Sequence, residues 1–224
     1  MSDPKPRAKR APKSAVATTE TVLVTRYVRA DMTAYGGFRW PESGPVEATD
    51  WKATKQCGNG LHGWLYGQGD HACTDKWQTE GARWLVVEVD SDSIIELGGK
   101  VKFPACVVRF VGDAKSATDY LLEHEPRSRD VAVIGACRAE KQDGARVSVG
   151  ALGTATAGYS GTATAGDRGT ATAGLYGVIS ILYYDNRADA YRRKAGEIDG
   201  EKLKPGVAYR LDDKNEFTPA KSGD

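Results

Sequence analysis

An eight-residue repeat restricts the fold of this chain more than any other feature. Gly153–Ser160 (GTATAGYS), Gly161–Arg168 (GTATAGDR) and Gly169–Tyr176 (GTATAGLY) follow one another without an insertion. The phase continues outward into Ala145–Leu152 (ARVSVGAL) and Gly177–Tyr184 (GVISILYY), and Asp130–Ile134 (DVAVI) falls two periods upstream. Fixed-period similarity implies a stack of equivalent units. Within each unit Thr and Ala alternate, so an extended chain turns every Thr to one face and every Ala to the other. The Gly-x-x-Gly remainder, as in Gly158 to Gly161, is expected to supply positive-φ positions for a tight reversal.

Two stackings satisfy this pattern: a flattened solenoid with two octads per coil, or an antiparallel meander with one octad per strand. The solenoid is preferred, because a thin interior suits an Ala column and a free-standing meander leaves its Ala face uncovered. Ala contributes little beside the ~1.5–3 kcal/mol of a buried Val or Ile. Larger residues must therefore secure the ends, and Val147, Val149, Ile179, Ile181 and Leu182 are placed to do so. A Gly-Ala-Thr composition also fits a structureless linker. A linker needs neither the strict phase nor apolar flanks in the same register.

The rest of the chain has a different texture. Thr21–Arg29, Arg83–Asp90, Ser93–Leu97 and Val101–Val111 read as strands, with Gly98-Gly99-Lys100 as a hairpin turn and Pro104 marking an edge or a bend. Ser116–Asp119 reads as a capping signal for a short helix that stops before Pro126. Residues 185–200 are charged and irregular. Lys204–Leu211 and Glu216–Thr218 flank a turn-rich connection suited to a hairpin that closes the last repeat. The expected fold class is thus an α+β N-terminal domain, then a short β-solenoid-like (or β-meander) segment and a C-terminal hairpin. Its divisions are a flexible basic arm (1–20), the α+β domain (21–127), the octad segment (128–184), and a charged connection with the capping hairpin (185–224).

Charge and hydropathy exclude several roles. With 31 Lys and Arg against 30 Asp and Glu the net charge is +1, which argues against wholesale binding to nucleic acid or membrane. Only the arm, with Lys5, Arg7, Lys9, Arg10 and Lys13, offers a weak, salt-sensitive contact to nucleic acid. No apolar run reaches the ~20 residues of a membrane span, and no apolar segment follows the basic N-terminus as a secretory signal requires. Four cysteines suit a reducing compartment, so an intracellular, soluble protein is expected.

Candidate chemistry is densest between residues 57 and 73. Cys57, His62, His71 and Cys73 supply the two thiolates and two imidazoles of a tetrahedral zinc site, although their spacing matches no standard finger; buried cysteines and a structural histidine fit as well, and no metal or other cofactor is expected. Cys57 with His62 also offers a nucleophile and a base, without an identifiable third group. Gly58-Asn59-Gly60 lacks the following helix of a phosphate site. Trp64 and Tyr66, among Trp40, Trp51, Trp77 and Tyr35, are candidates to line a ligand pocket, or form the core.

Three resemblances follow from these residues. The Cys57–His62 string (CGNGLH), the strands at Trp84–Val89 and Val107–Arg109, the octads and Lys204–Leu211 together resemble uncharacterised bacteriophage and prophage proteins. That resemblance implies an accessory protein that binds a host or virion protein, or decorates the virion, located in the host bacterial cytoplasm or the virion, with its oligomeric state open. A first strand with Arg26 and Arg29, the Gly-x-Gly-Leu-His turn at His62 and a later Glu88 or Glu96 are similar in order to ADP-ribosyltransferase-like domains, and imply an enzyme in which Arg29, His62 and Glu88 are the catalytic candidates that engage a nicotinamide dinucleotide and its reacting ribose. Finally, the Thr-x-Thr array resembles the ice-binding face of insect antifreeze proteins. Thr is favoured in β ladders by shape and propensity in any case, so a rigid spacer or interaction surface is the expected use.

Overall fold

The computed structural model describes residues 20–73 and 80–220. The basic arm expected over residues 1–20 therefore lies, Glu20 apart, outside the described residues, as does Trp77.

The front of the chain is α+β, as its alternating patterns require. Strands β1 (Thr21–Val28), β2 (Gly44–Glu47), β3 (Leu61–Leu65), β4 (Arg83–Asp90), β5 (Ile95–Glu96), β6 (Val101–Phe103) and β7 (Ala105–Gly112) precede α1 (Ala114–His124), the one α-helix among the described residues. They form an antiparallel sheet in the order β2-β7-β4-β1-β3-β6-β5. The run expected as one strand, Val101–Val111, is divided at Pro104. Only that residue separates β6 from β7 in the chain, yet β3, β1 and β4 lie between them in the sheet. The sheet has to curl for one residue to bridge that gap, and a proline without an N–H for the ladder marks the corner.

Each side of the sheet is buried. Val24, Val28, Leu85, Val87 and Phe103 share one core. Leu23, Tyr27, Trp64, Trp84 and Val86 belong to another, packed with Ala117 and Leu121 of α1. The helix begins one turn before the expected signal. Asp113 is the N-cap, its carboxylate accepting from the Ser116 N–H while the Ser116 hydroxyl accepts from the Asp113 N–H. Ser116 thus completes the capping box that Asp113 opens.

Beyond residue 136 the chain forms β8 (Cys137–Glu140), β9 (Arg146–Ser148), β10 (Thr154–Ala157), β11 (Thr162–Ala165), β12 (Thr170–Thr172) and β13 (Val178–Asp185). Consecutive octads enter different sheets: β8, β10 and β12 pair in parallel, and β9, β11 and β13 pair in parallel in the other. Parallel pairing between every second octad rules out the meander alternative for these strands. Ala155, Ala157, Ala163, Ala165, Ala171 and Ala173 are buried, as alternation requires. Residues 130–134 form no strand. The first strand is instead β8, which pairs with β10 at an offset of 17 residues (Cys137 with Thr154), whereas Thr154 pairs with Thr170 at 16. One extra residue in the first turn hides this strand from a search for strict periodicity.

The repeat glycines do a different job from the one expected. None of them between Gly150 and Gly177 has positive φ; that conformation falls once per octad on Leu152, Ser160, Arg168 and Tyr176. Each of these lies in a four-residue turn closed by a glycine N–H to glycine C=O bond, such as Gly161 to Gly158 at 3.1 Å. The glycines are needed for close approach to the chain two octads earlier. A Cβ at Gly158 would lie 2.3 Å from the Lys141 oxygen, and one at Gly166 would lie 2.3 Å from the Ala151 nitrogen.

Both sheets are closed at the C-terminal side by antiparallel strands. β14 (Ala190–Glu197), in the stretch expected to be irregular, pairs with β13 along its whole length. The expected hairpin is present as β15 (Tyr209–Leu211) and β16 (Phe217–Pro219), and β15 joins β12 through Ala171 and Tyr209. Lys194 Nζ, on one cap, bonds Glu216 Oε1 at 2.7 Å beside the other. Ile179 and Ile181 are buried as expected of an end, with Ile198. Leu182 is only half-buried and lines a surface hollow instead. At the opposite end Val133, Ile134, Val147 and Val149 share a core with Trp84 and Leu121 of the front. Contact there is close: a Cβ at Gly135 would lie 2.7 Å from the Trp84 ring.

If closeness is what the glycines provide, Gly166→Ala lowers the unfolding free energy by about 1–3 kcal/mol through overpacking. Ser160→Gly, at a positive-φ position, changes it by less than about 1 kcal/mol, because relief of left-handed strain is offset by glycine's backbone entropy. Urea unfolding of the two variants beside the parent checks the order; the reverse order contradicts it.

Candidate functional site

The two-sheet arrangement decides where the threonines go. On one sheet Thr154 stands opposite Thr170 and Thr156 opposite Thr172, a two-by-two array in register. Backbone geometry sets its mesh at about 4.8 Å between strands and about 6.7 Å along each strand. Thr162 and Thr164 belong to the other sheet, where Thr162 lies between Arg146 and Val178 and Thr164 between Ser148 and Ser180. What reads in sequence as one threonine column is thus divided between two surfaces.

The second surface is partly covered by the front of the chain. Asp70 and His71 stand across from Ser148 and Thr164 and enclose with them a cleft of about 570 Å³, whose lining also includes Leu182 and Arg193. The walls are tied together. Buried His71 places Nε2 3.3 Å from Asp167 Oδ2, and the Tyr191 hydroxyl donates to Asp70 Oδ1 at 3.4 Å. Burial, then the charges of Asp70 and Asp167, push the Tyr191 phenol up to about 12. Asp70 is itself fixed: its N–H donates to the Gly99 oxygen at 2.7 Å, and its own oxygen accepts from Trp64 Nε1 at 3.2 Å.

The residues singled out from sequence are dispersed. Arg29 lies just beyond β1 and bonds Thr33 Oγ1 at 3.3 Å. His62 lies on β3, opposite Lys102. Glu88 lies on β4, opposite Leu23, where Arg109 clamps it with two bonds of 3.1 and 3.0 Å. Arg29 and Leu23 are six positions apart, or about 20 Å of strand, so Arg29 and Glu88 do not share a site. Of the four proposed zinc ligands, Cys57 is exposed, His71 pairs with Asp167, and Cys73 Sγ faces Asp70 at 3.8 Å. Burial and then the Asp70 charge raise the Cys73 thiol. Among the described residues no group of three or more His, Cys, Asp and Glu side chains is placed to hold a metal ion. Trp64 is buried with Tyr27 and Trp84, ring centroids 5.3 and 6.0 Å away, so it serves the core. Tyr66 is half-buried beneath the Arg127 guanidinium, 4.7 Å from its ring.

Asp70, Asp167, Tyr191 and Arg193 were not singled out. Asp167 did leave a trace: it occupies the octad position held by Tyr159 and Leu175 in the neighbouring units, and that departure coincides with the contact to His71.

Comparison with known proteins gives two results. Residues 22–122 match a family model described as a domain of unknown function (DUF7666). The chain is also similar to bacterial ice nucleation proteins: 39% identical over 107 residues to ice nucleation protein InaU of Pantoea ananas, and 40% over 106 residues to an ice nucleation protein of Pseudomonas syringae. A third, from Xanthomonas campestris pv. translucens, is 38% identical over 109 residues. These matches cover 47%, 46% and 48% of this chain but only 10%, 9% and 7% of the relatives' lengths. No solved structure matches.

These relatives overturn the bacteriophage and prophage resemblance. With it go the readings as an accessory protein binding a host or virion component and as a virion decoration protein, and the location in host cytoplasm or virion that followed from them. The ADP-ribosyltransferase reading falls on the same finding, and on the separation of Arg29 from Glu88. The phage resemblance rested on the order of motifs that are each weak alone, whereas the new one rests on 39% identity over 107 residues. Among the described residues no helix is long and apolar enough to cross a membrane.

The surroundings of His62 lead to a pH dependence. Burial, then Lys100, Arg26 and Lys102, lower its pKa from 6.5 to about 4. Between those two values the unfolded chain takes up a proton that the folded chain refuses. Stability therefore falls as pH drops through that window, by about 2–3 kcal/mol in all. Urea unfolding at pH 7 and pH 4.5 measures the loss, and His62→Gln is expected to remove most of it. An equal loss in the variant refutes the assignment.

Proposed function

We propose that the two parallel sheets are the faces of one short flattened solenoid, two octads to a coil, and that its Thr154, Thr156, Thr170 and Thr172 face binds ice. The in-register threonine array carries this reading, since Thr154, Thr156 and Thr170 offer part-exposed side chains on a fixed two-dimensional mesh, with buried Thr172 completing its register. The names of the relatives support it. They also give weight to the antifreeze resemblance over the reading as a spacer. In this proposal residues 21–127 are the base that holds the first coil, 128–184 the ladder and 185–224 its closure.

Size limits the activity. A nucleating surface has to template an ice embryo large enough to grow, and four threonines on two strands are far too few. The expected activity is therefore adsorption to existing ice without nucleation. The stretches shared with the relatives are a tenth of their lengths or less, so activity of the relatives as whole proteins is not carried over.

Slow directional freezing of a dilute solution tests this. The parent protein is expected to enter the ice at a higher fraction than a size-matched control, and droplets containing it should freeze at the temperature of buffer. A Thr154→Glu/Thr170→Glu variant is expected to fall to the control fraction with its circular dichroism unchanged, while Thr162→Glu on the opposite sheet keeps the parental value. Exclusion of the parent from ice to the same extent as the control refutes the proposal.

A further inference from the structure

The cleft between the front sheet and the second face of the ladder is not used by the ice-binding reading. Its volume of about 570 Å³ lies within the ~300–1,000 Å³ typical of small-molecule sites. We propose that it binds a neutral saccharide of one or two rings.

The argument rests on the chemistry of the walls. Ile134, Val149 and Leu182 supply an apolar floor, extended by bare backbone at Gly150 and Gly166. Around it stand Asp70 and Asp167, the hydroxyls of Ser148 and Thr164, and the Arg193 guanidinium. A ring with one C–H face and a rim of hydroxyls matches such a surface: the floor takes the face and the carboxylates accept from the rim. Among the described residues Asp70 Oδ2 receives only the 3.8 Å contact from Cys73 Sγ, while Oδ1 is occupied by the Ala72 N–H at 3.0 Å and by Tyr191. Asp70 thus presents one oxygen for a ligand and holds the other in place.

The charges select against ions. Arg193 brings one positive charge to the lining beside the two carboxylates, and it is steadied by its bond to Ser180 Oγ at 3.4 Å. Asp167 is held in place by its contact with the buried His71 ring. An anionic ligand would meet Asp70 and Asp167, and a cationic one would meet Arg193, so a neutral hydrogen-bonding ligand gives the best complement. Preorganisation favours binding as well. The Tyr191–Asp70 and His71–Asp167 contacts join segments distant in sequence, so the walls are set before a ligand arrives.

Saturation-transfer NMR on the full chain, with free neutral mono- and disaccharides, glucuronate and glucosamine as probes, tests the proposal. At least one neutral sugar is expected to bind in preference to both charged ones. Asp70→Asn should weaken it about tenfold or more, the loss of a hydrogen bond to a charged group, and Leu182→Asp on the half-buried floor should abolish it. The Thr154→Glu/Thr170→Glu variant should bind as the parent does, which separates this site from the ice face. Absence of a signal from every neutral sugar overturns the proposal, as does preferred binding of a charged sugar or binding undiminished in both cleft variants.

Discussion

The back half of this protein depends on how closely the chain approaches the segment two octads before it. Bare backbone at Gly158, Gly166 and Gly174 meets the backbone about two octads earlier at distances that leave no room for a Cβ, and buried Ala fills the space between the two sheets. Both strand pairing and the threonine mesh follow from that closeness. An enlarged side chain at either kind of position would force the sheets apart and spoil the register that aligns Thr154 with Thr170.

An alanine interior binds weakly per residue, so the ladder is held from its ends. At one end Trp84 and Leu121 form part of an apolar platform on which Val133, Ile134 and Val147 are packed. At the other, β14 and β15 each complete a sheet, and the Lys194–Glu216 bond links the regions they cap. The front of the chain thus supplies the ladder's first layer as well as one wall of the cleft beside it.

Sequence made the repeat legible because alternation and phase are encoded in every unit. It disclosed the α+β front, the Gly98-Gly99 turn and the closing hairpin. It did not disclose β8, where one added residue breaks the phase, nor β14, whose Arg192, Arg193 and Lys194 obscure its strand character. Charged edge strands resist further pairing, so the residues that hid β14 are those an exposed edge needs. The glycine role was misread because positive φ and close approach both call for glycine, and only coordinates tell them apart. The cleft escaped because its walls come from segments about a hundred residues apart. Candidates chosen for proximity in sequence, such as Cys57 and Cys73, had no means of reporting that.

Amide hydrogen exchange on the intact chain tests the coil stack most directly. Thr170 N–H donates to the Gly153 oxygen at 2.9 Å, Val178 N–H to the Gly161 oxygen at 2.9 Å, and Gly174 N–H to the Gly158 oxygen at 3.1 Å, each two octads back. All three amides are expected to be strongly protected and to lose protection together on unfolding. Exchange at random-coil rates across residues 154–173, with the front sheet still protected, would contradict the account.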